Sequence, residues 1–116
     1  MPDNPNYKKT FVNLYNQAMN TSRDRGKLQE AINLYKQTLE IAPRNFSTPY
    51  QMIGEIYLQL KNKEKAIENY RKAVELDDYS IMSHYYLYQL YIEKKDTSNA
   101  LEHLRKIQKY SPDLLK

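Results

Sequence analysis

Apolar residues in this chain recur every three or four positions instead of alternating. Tyr50, Ile53, Tyr57 and Leu60 form one stripe, and Ala66, Ile67, Tyr70, Ala73, Val74 and Leu76 form the next. Such spacing gathers side chains on one face of an α-helix. Between the stripes lies KNKEK, where Asn62 is placed to cap the second helix by accepting a backbone N–H bond. Ser47 ahead of Thr48-Pro49 is expected to open a helix in the same way, with proline tolerated in the first turn. Pro43 and Pro112 lack an N–H and push the preceding residue out of helical geometry, so each closes a unit. The pattern predicts six helices, near residues 7–23, 27–41, 48–60, 63–76, 81–94 and 97–110.

The stripes repeat. EAINLYKQTLEIAP (Glu30 to Pro43), KAIENYRKAVELDD (Lys65 to Asp78) and NALEHLRKIQKYSP (Asn99 to Pro112) align at spacings of 35 and then 34 residues. Ala31, Ala66 and Ala100 coincide, as do Ile32, Ile67 and Leu101, and Tyr35, Tyr70 and Leu104. Tyr50, Ile53, Gly54 and Tyr57 precede the middle copy, and His84, Leu87, Tyr88 and Tyr91 stand at the same offsets before the last. The first copy has Tyr15, Ala18, Met19 and Ser22 in those places.

A helix–turn–helix unit of about 34 residues with this pattern resembles the tetratricopeptide repeat. The middle copy carries Tyr50, Ile53-Gly54, Tyr57, Ala66, Tyr70 and Ala73, with Asp78 in place of the closing proline. The last keeps Leu87, Tyr91, Ala100 and Pro112, and the first keeps Tyr15, Gly26, Ala31, Tyr35 and Pro43. The resemblance implies an all-α fold: an α-solenoid of three such repeats, about 12–46, 47–80 and 81–114, in one domain spanning 1–116. It also implies a right-handed superhelix, here without a C-terminal capping helix. Small residues are needed where paired helices cross closely, and Gly54 against Ala66 is the expected contact. Tyr88 and Met19 replace that small residue in the other copies, so a splayed or rotated third hairpin is expected. Terminal repeats need a polar outer face. Glu102, Lys106 and Gln108 supply part of one, whereas Leu114 and Leu115 point to a longer parent chain or a self-association edge.

In such arrays the first helix of each hairpin lines the concave face, which implies a groove of defined residues. The first repeat would contribute Asn13, Asn16, Gln17 and Asn20. The second would contribute Thr48, Gln51, Met52, Glu55 and Gln59, and the third Met82, Tyr85, Tyr86, Gln89 and Glu93. Tyrosine offers large contact area with a polar tip, methionine adapts to irregular partners, and amides bond an extended backbone. The alternative is burial: Ile81, Met82, Tyr85, Tyr86, Tyr88 and Ile92 make the fifth helix apolar nearly all round. Some relatives in this family grip acidic C-terminal tails of chaperones through two lysines, two asparagines and an arginine. Those positions fall at Asn16, Asn20, Met52, Met82 and Tyr86 here, and Asn20 alone matches. An acidic tail needs cationic partners, so it is not the expected ligand.

Composition narrows the reading further. Glycine occurs twice, which disfavours a turn-rich β fold, and cysteine is absent, which excludes disulfides and thiolate metal sites and fits the cytoplasm. The apolar runs are short and broken by charge, and the N-terminus lacks the basic start and apolar stretch of a secretion signal, so no membrane association is expected. The net charge of +4 is spread along the chain, about +3, −1 and +2 in the parts divided at Phe46 and Ser80. Lysine and arginine interleave with glutamate at helical spacing, as in Glu64, Lys65, Glu68, Arg71, Lys72 and Glu75, which reads as a solvated face. Lys61, Lys63, Lys65, Lys94 and Lys95 cluster in hairpin turns, away from any track a nucleic acid would follow, so no nucleic-acid partner is expected.

Catalytic constellations are missing. His84 stands in the aromatic position of its repeat and is expected to pack in the hairpin, while His103 is expected on a charged face among Glu102, Arg105 and Lys106. Asp77-Asp78 reads as an ordinary turn and cap pair. No metal-ligand spacing and no glycine-rich phosphate loop occurs, so no enzyme activity, metal or cofactor is expected. The leading expectation is a protein-interaction scaffold that binds a peptide or partner segment in the concave groove. The alternative is an assembly module that forms homo-oligomers through its apolar third repeat.

Overall fold

The helical stripes become six α-helices in the computed structural model, which describes residues 5–115, with side chains from Thr10 onward. These are α1 (Pro5–Thr21), α2 (Leu28–Ile41), α3 (Thr48–Gln59), α4 (Lys63–Leu76), α5 (Ile81–Glu93) and α6 (Thr97–Tyr110). Single 3₁₀ turns at Arg25–Lys27 and Pro112–Leu115 complete the path, and no strand occurs among the described residues. The helices pair as antiparallel hairpins, and each packs chiefly on its neighbours in sequence. The radius of gyration is 15.2 Å, against about 13 Å for a compact domain of this length, as a stack of hairpins requires.

Local chemistry sets the ends. Asn62 accepts the Lys65 N–H at 3.2 Å, and Asp96 does the same for Asn99 at 3.3 Å, so α4 and α6 are side-chain capped. Ser47 departs from expectation: it precedes α3, but its side chain makes no capping bond. Its backbone is already helical (φ −85°, ψ −20°), whereas a capping serine needs an extended backbone to fold its hydroxyl onto the first turn. The carbonyl of Ser47 instead accepts from Tyr50 and Gln51. α3 and α5 end alike. The Asn62 N–H reaches the Tyr57 carbonyl and the Asp96 N–H reaches that of Tyr91, both at 2.9 Å, which places Lys61 (φ 63°) and Lys95 (φ 62°) in the left-handed region. Pro43 and Pro112 act as expected, since Ala42 before the first is extended and α6 stops two residues short of the second.

The core runs through the stack. Ala18, Ala31, Ile32, Tyr35, Ile53, Ala66, Tyr70, Leu87 and Ala100 are all at most 1 % exposed. The expected Gly54–Ala66 contact is corrected in one respect. A Cβ built on Gly54 would lie 2.9 Å from two ring carbons of Tyr70, so the glycine makes room for that ring. The third hairpin is closed, not splayed: Leu87, Leu90, Tyr91 and Ala100 are buried, and Tyr88 packs against the core. The volume exchange explains this, because Tyr88 stands where Gly54 does and Leu104 stands where Tyr70 does. The large ring has moved from one helix of the pair to the other. Ala66 has no exposed surface, so Ala66→Leu is expected to overpack the second hairpin and lower stability by about 1–3 kcal/mol in a urea melt.

Candidate functional site

The first helices of the three hairpins, α1, α3 and α5, carry the residues expected to line a groove. On α1, Asn13, Asn16, Gln17 and Asn20 are exposed. On α3, Gln51, Met52 and Glu55 are half-buried. On α5, Met82 and Gln89 are exposed and Tyr85 and Tyr86 half-buried. The apolar fifth helix is therefore not sealed, since Met82 and Ile92 keep 43 % and 49 % of their surface.

Several of these side chains are brought together. Gln89 donates to the Tyr85 hydroxyl at 3.0 Å, and the Tyr85 and Tyr86 rings meet edge-on at 6.0 Å. Tyr86 stacks on Tyr70, with centroids 5.2 Å apart and planes 16° from parallel. Gln51 hydrogen-bonds the Glu55 carboxylate one turn on. Burial raises the Glu55 pKa and that bond partly offsets it. Met52 and Glu55 share a cleft of about 180 Å³ with Ser22, Tyr35, Ile56 and Gln59. Among the described residues, no hydrogen bond or ring contact ties Asn13, Asn16, Gln17 or Asn20 to α3 or α5.

Tyr35 and Ser22 escaped sequence reasoning as cleft residues. The repeat alignment placed Tyr35 with the core tyrosine Tyr70, and it is buried at 1 % exposure, yet it also lines the cleft that holds Glu55. Burial pushes the Tyr35 phenol up to about 12, with smaller contributions from Tyr15 and Glu55.

A second cluster lies at the junction of the second and third hairpins. His84 is buried as expected, but His103 is buried too, at 7 % exposure, which corrects its expected place on a charged face. Their Nδ1 atoms lie 2.9 Å apart, and His84 Nε2 lies 2.9 Å from the Asp78 carbonyl oxygen. A carbonyl only accepts, so His84 carries its proton on Nε2 and His103 donates from Nδ1. Both ring nitrogens of His84 are thereby satisfied with the two imidazoles neutral. His103 also lies parallel to Tyr91, whose hydroxyl accepts from Arg71 at 3.3 Å. The signal for this burial was available in register: the first two copies have Leu34 and Asn69 at the His103 position, both half-buried.

Asp78 is more than a turn residue. Its carboxylate accepts from Lys106 at 2.8 Å and from the Tyr110 hydroxyl, tying α6 to the exit of α4 where the other copies have proline. These bonds hold the carboxyl below its usual range, Lys106 first and Tyr110 next. Asp77 behaves as expected, accepting the Tyr79 N–H at 3.0 Å.

Among the described residues, no group of three or more His, Cys, Asp or Glu side chains could hold a metal ion. Nor is any helix among them long and apolar enough to cross a membrane.

Comparison with known proteins agrees with this architecture. The human protein O-mannosyl-transferase TMTC3 is 34 % identical over 98 residues, covering 84 % of this chain and 10 % of that protein. The mouse protein of the same name is 35 % identical over 92 residues. The chain thus spans about a tenth of the length of the curated relatives it matches. Among solved structures, a double mutant of MamA RS-1 superposes with a TM-score of 0.76 at 25 % identity, covering 90 % of this chain and 57 % of that one. The Yersinia enterocolitica type III secretion chaperone SycD, in complex with a peptide of the translocator YopD, gives 0.75 at 17 % identity, covering 89 % and 77 %. Residues 47–79 match the tetratricopeptide-repeat family model, and they are the hairpin in which Gly54 admits Tyr70. Residues 47–79 are thus a tetratricopeptide repeat, with two further helical hairpins of the same fold stacked on it.

Proposed function

We propose that this chain is a non-catalytic interaction module that holds a segment of a partner protein along α1, α3 and α5. The units about 12–46, 47–80 and 81–114 act together as one binding domain, with Asn13, Asn16, Gln17 and Asn20 at the amide-rich end. The observation that carries the reading is the state of α5. Its Met82 stays exposed and its Tyr85 and Tyr86 half-exposed, although the helix is apolar enough to have been sealed into the core. Half-exposed tyrosines on a rigid helix offer contact area at low entropic cost. SycD, which shares the fold, holds a translocator peptide. Two arguments set aside an acidic chaperone tail: the clamp cations are missing, and Glu55 would repel it. The transferase activity in the name of the human relative is not carried over, because the chain matches a tenth of that protein. A cysteine-free chain of this kind fits a cytoplasmic setting.

The test is binding of partner segments selected from a peptide library. Tyr85→Ala/Tyr86→Ala is expected to weaken them at least tenfold, the scale of an aromatic hot spot, while far-UV circular dichroism stays unchanged. Tyr86 also stacks on Tyr70, so Tyr85→Ala alone separates contact from stability. Undiminished binding by both variants would overturn the site.

Self-association through the third repeat is the second reading. It is favoured by Leu101, Leu114 and Leu115, which keep 42 %, 46 % and 41 % of their surface on the last hairpin and its closing turn. Light scattering across a dilution series that returns a monomer at every concentration would dismiss it.

A further inference from the structure

Of the side chains expected to line the groove, two carry a formal charge, Glu93, which is paired with Lys63, and Glu55. Glu55 is half-buried, whereas every other glutamate among the described residues is exposed. Glu64, Asp78 and Glu93 each hold a lysine within 4 Å, whereas no such ion pair is formed by Glu55 among the described residues. Its hydrogen-bonding neighbour is the neutral amide of Gln51, which leaves most of the carboxylate's acceptor capacity unused. The carboxylate opens into the cleft of about 180 Å³, between the first and second hairpins, with Tyr35, Met52 and Ile56 as apolar walls. That space equals about six water molecules, too little for a typical small-molecule ligand and enough for the end of one side chain. Aromatic groups gather around the charge, which acts on the hydroxyls of Tyr15, Tyr35, Tyr70 and Tyr86.

A second observation points the same way. The Tyr70 hydroxyl is buried with no hydrogen-bond partner. Its ring lies against Gly54, the residue before Glu55, and the ring carbon bearing the hydroxyl is among the atoms closest to the glycine. A half-buried anion without a counter-ion, next to tyrosine rings and an unused hydroxyl, is an arrangement that favours a cation. Charge-assisted bonds form at the carboxylate, and ring faces attract the positive group.

We infer that the cleft between the first and second hairpins receives the cationic end of a lysine or arginine from the bound segment, with Glu55 as its counter-ion and Tyr35 as its wall. This rests on the groove reading and specifies the chemistry of its ligand. Burial disfavours the charged form of Glu55 in the free protein, and an incoming cation would relieve that. Arg25 and Lys61 line a separate recess that shares Gln59 with the cleft, and free salt screens exposed charges beyond about 8–10 Å.

A random dodecapeptide display library panned against the folded chain supplies the probe, and affinities of the enriched peptides are read by fluorescence anisotropy. The expected result is a lysine or arginine in the enriched peptides whose replacement by norleucine weakens binding about tenfold or more, the scale of a charge-assisted hydrogen bond. Glu55→Gln is expected to cause the same loss and to make the protein indifferent to the norleucine replacement. That replacement tests the pairing without altering the protein's fold. Peptides that lose affinity for Tyr85→Ala but bind Glu55→Gln undiminished would overturn the cation and leave the groove standing. Peptides indifferent to both variants, or a library that yields no binder, would overturn both.

Discussion

Tyr70→Ala is expected to lower the free energy of unfolding by about 3–5 kcal/mol and the melting temperature by about 10–20 °C, read by urea and thermal melts. The ring has no exposed surface, fills the space that Gly54 leaves, and stacks on Tyr86 of the next hairpin. Its removal opens a cavity inside the second repeat and loosens the junction with the third. The loss belongs to the ring and not to the hydroxyl, which is buried without a partner. Tyr70→Phe should therefore keep full stability or gain about 1 kcal/mol. Gly54 provides the cross-check. Gly54→Ala improves helix propensity by about 1 kcal/mol but forces a Cβ onto the Tyr70 ring, so it should destabilise the wild type. In a Tyr70→Ala background the same substitution should be neutral or favourable. Additive losses in the double variant would show that the two residues do not share one space.

Acid should unfold the chain through the His84–His103 pair. Burial is the main cause lowering both imidazoles, with His103 brought to about 4 from 6.5 and held there also by His84. The unfolded chain therefore binds more protons than the folded one across this range, and stability rises with pH. Working downward, stability is full above about 6.5, falls as unfolded histidines take up protons, and levels off for His103 near 4. The loss is about 3 kcal/mol. The charges facing the pair oppose one another: Asp78 and Glu102 favour protonation, while Lys106 resists it at His84 and Arg71 at His103. Asp78 has its own carboxyl lowered, so its contribution disappears at lower pH, below the usual carboxylate range. His103→Asn keeps a donor near the Nδ1 position and cannot titrate. It should flatten the pH dependence between 6.5 and 4, whereas an unchanged slope would place the acid sensitivity elsewhere.

Both predictions turn on contacts that cross between helices, and this is where sequence reasoning was partial. The stripe Tyr50, Ile53, Tyr57 and Leu60 and the recurrence of Ala31, Ala66 and Ala100 identified the helices and their pairing, because helical periodicity is a local property. Asn62 and the two prolines were legible for the same reason, since each acts on its own backbone. Gly54 was read as a close approach, but its partner was not legible: Ala66 and Tyr70 lie one turn apart on one face of α4, and only their packing chooses between them. Tyr88 reads as an obstruction along its own helix, yet it packs against the core in a hairpin where Leu104 takes the place of the Tyr70 ring. His103 sits among charges along its helix, yet the helix rotation buries it on His84.

The sequence by itself determined the repeat, the helix boundaries to within a few residues and the face each helix buries, because all three follow from spacing along one chain. It also marked Glu55 and Glu93 as the charges among the groove candidates. Only the tertiary structure decided which ring fills the space at Gly54, that two histidines share one proton-bearing contact, and that Glu55 forms no ion pair among the described residues. Those outcomes depend on distances between residues about 15–40 positions apart, which a stacking of hairpins sets and a local pattern does not contain.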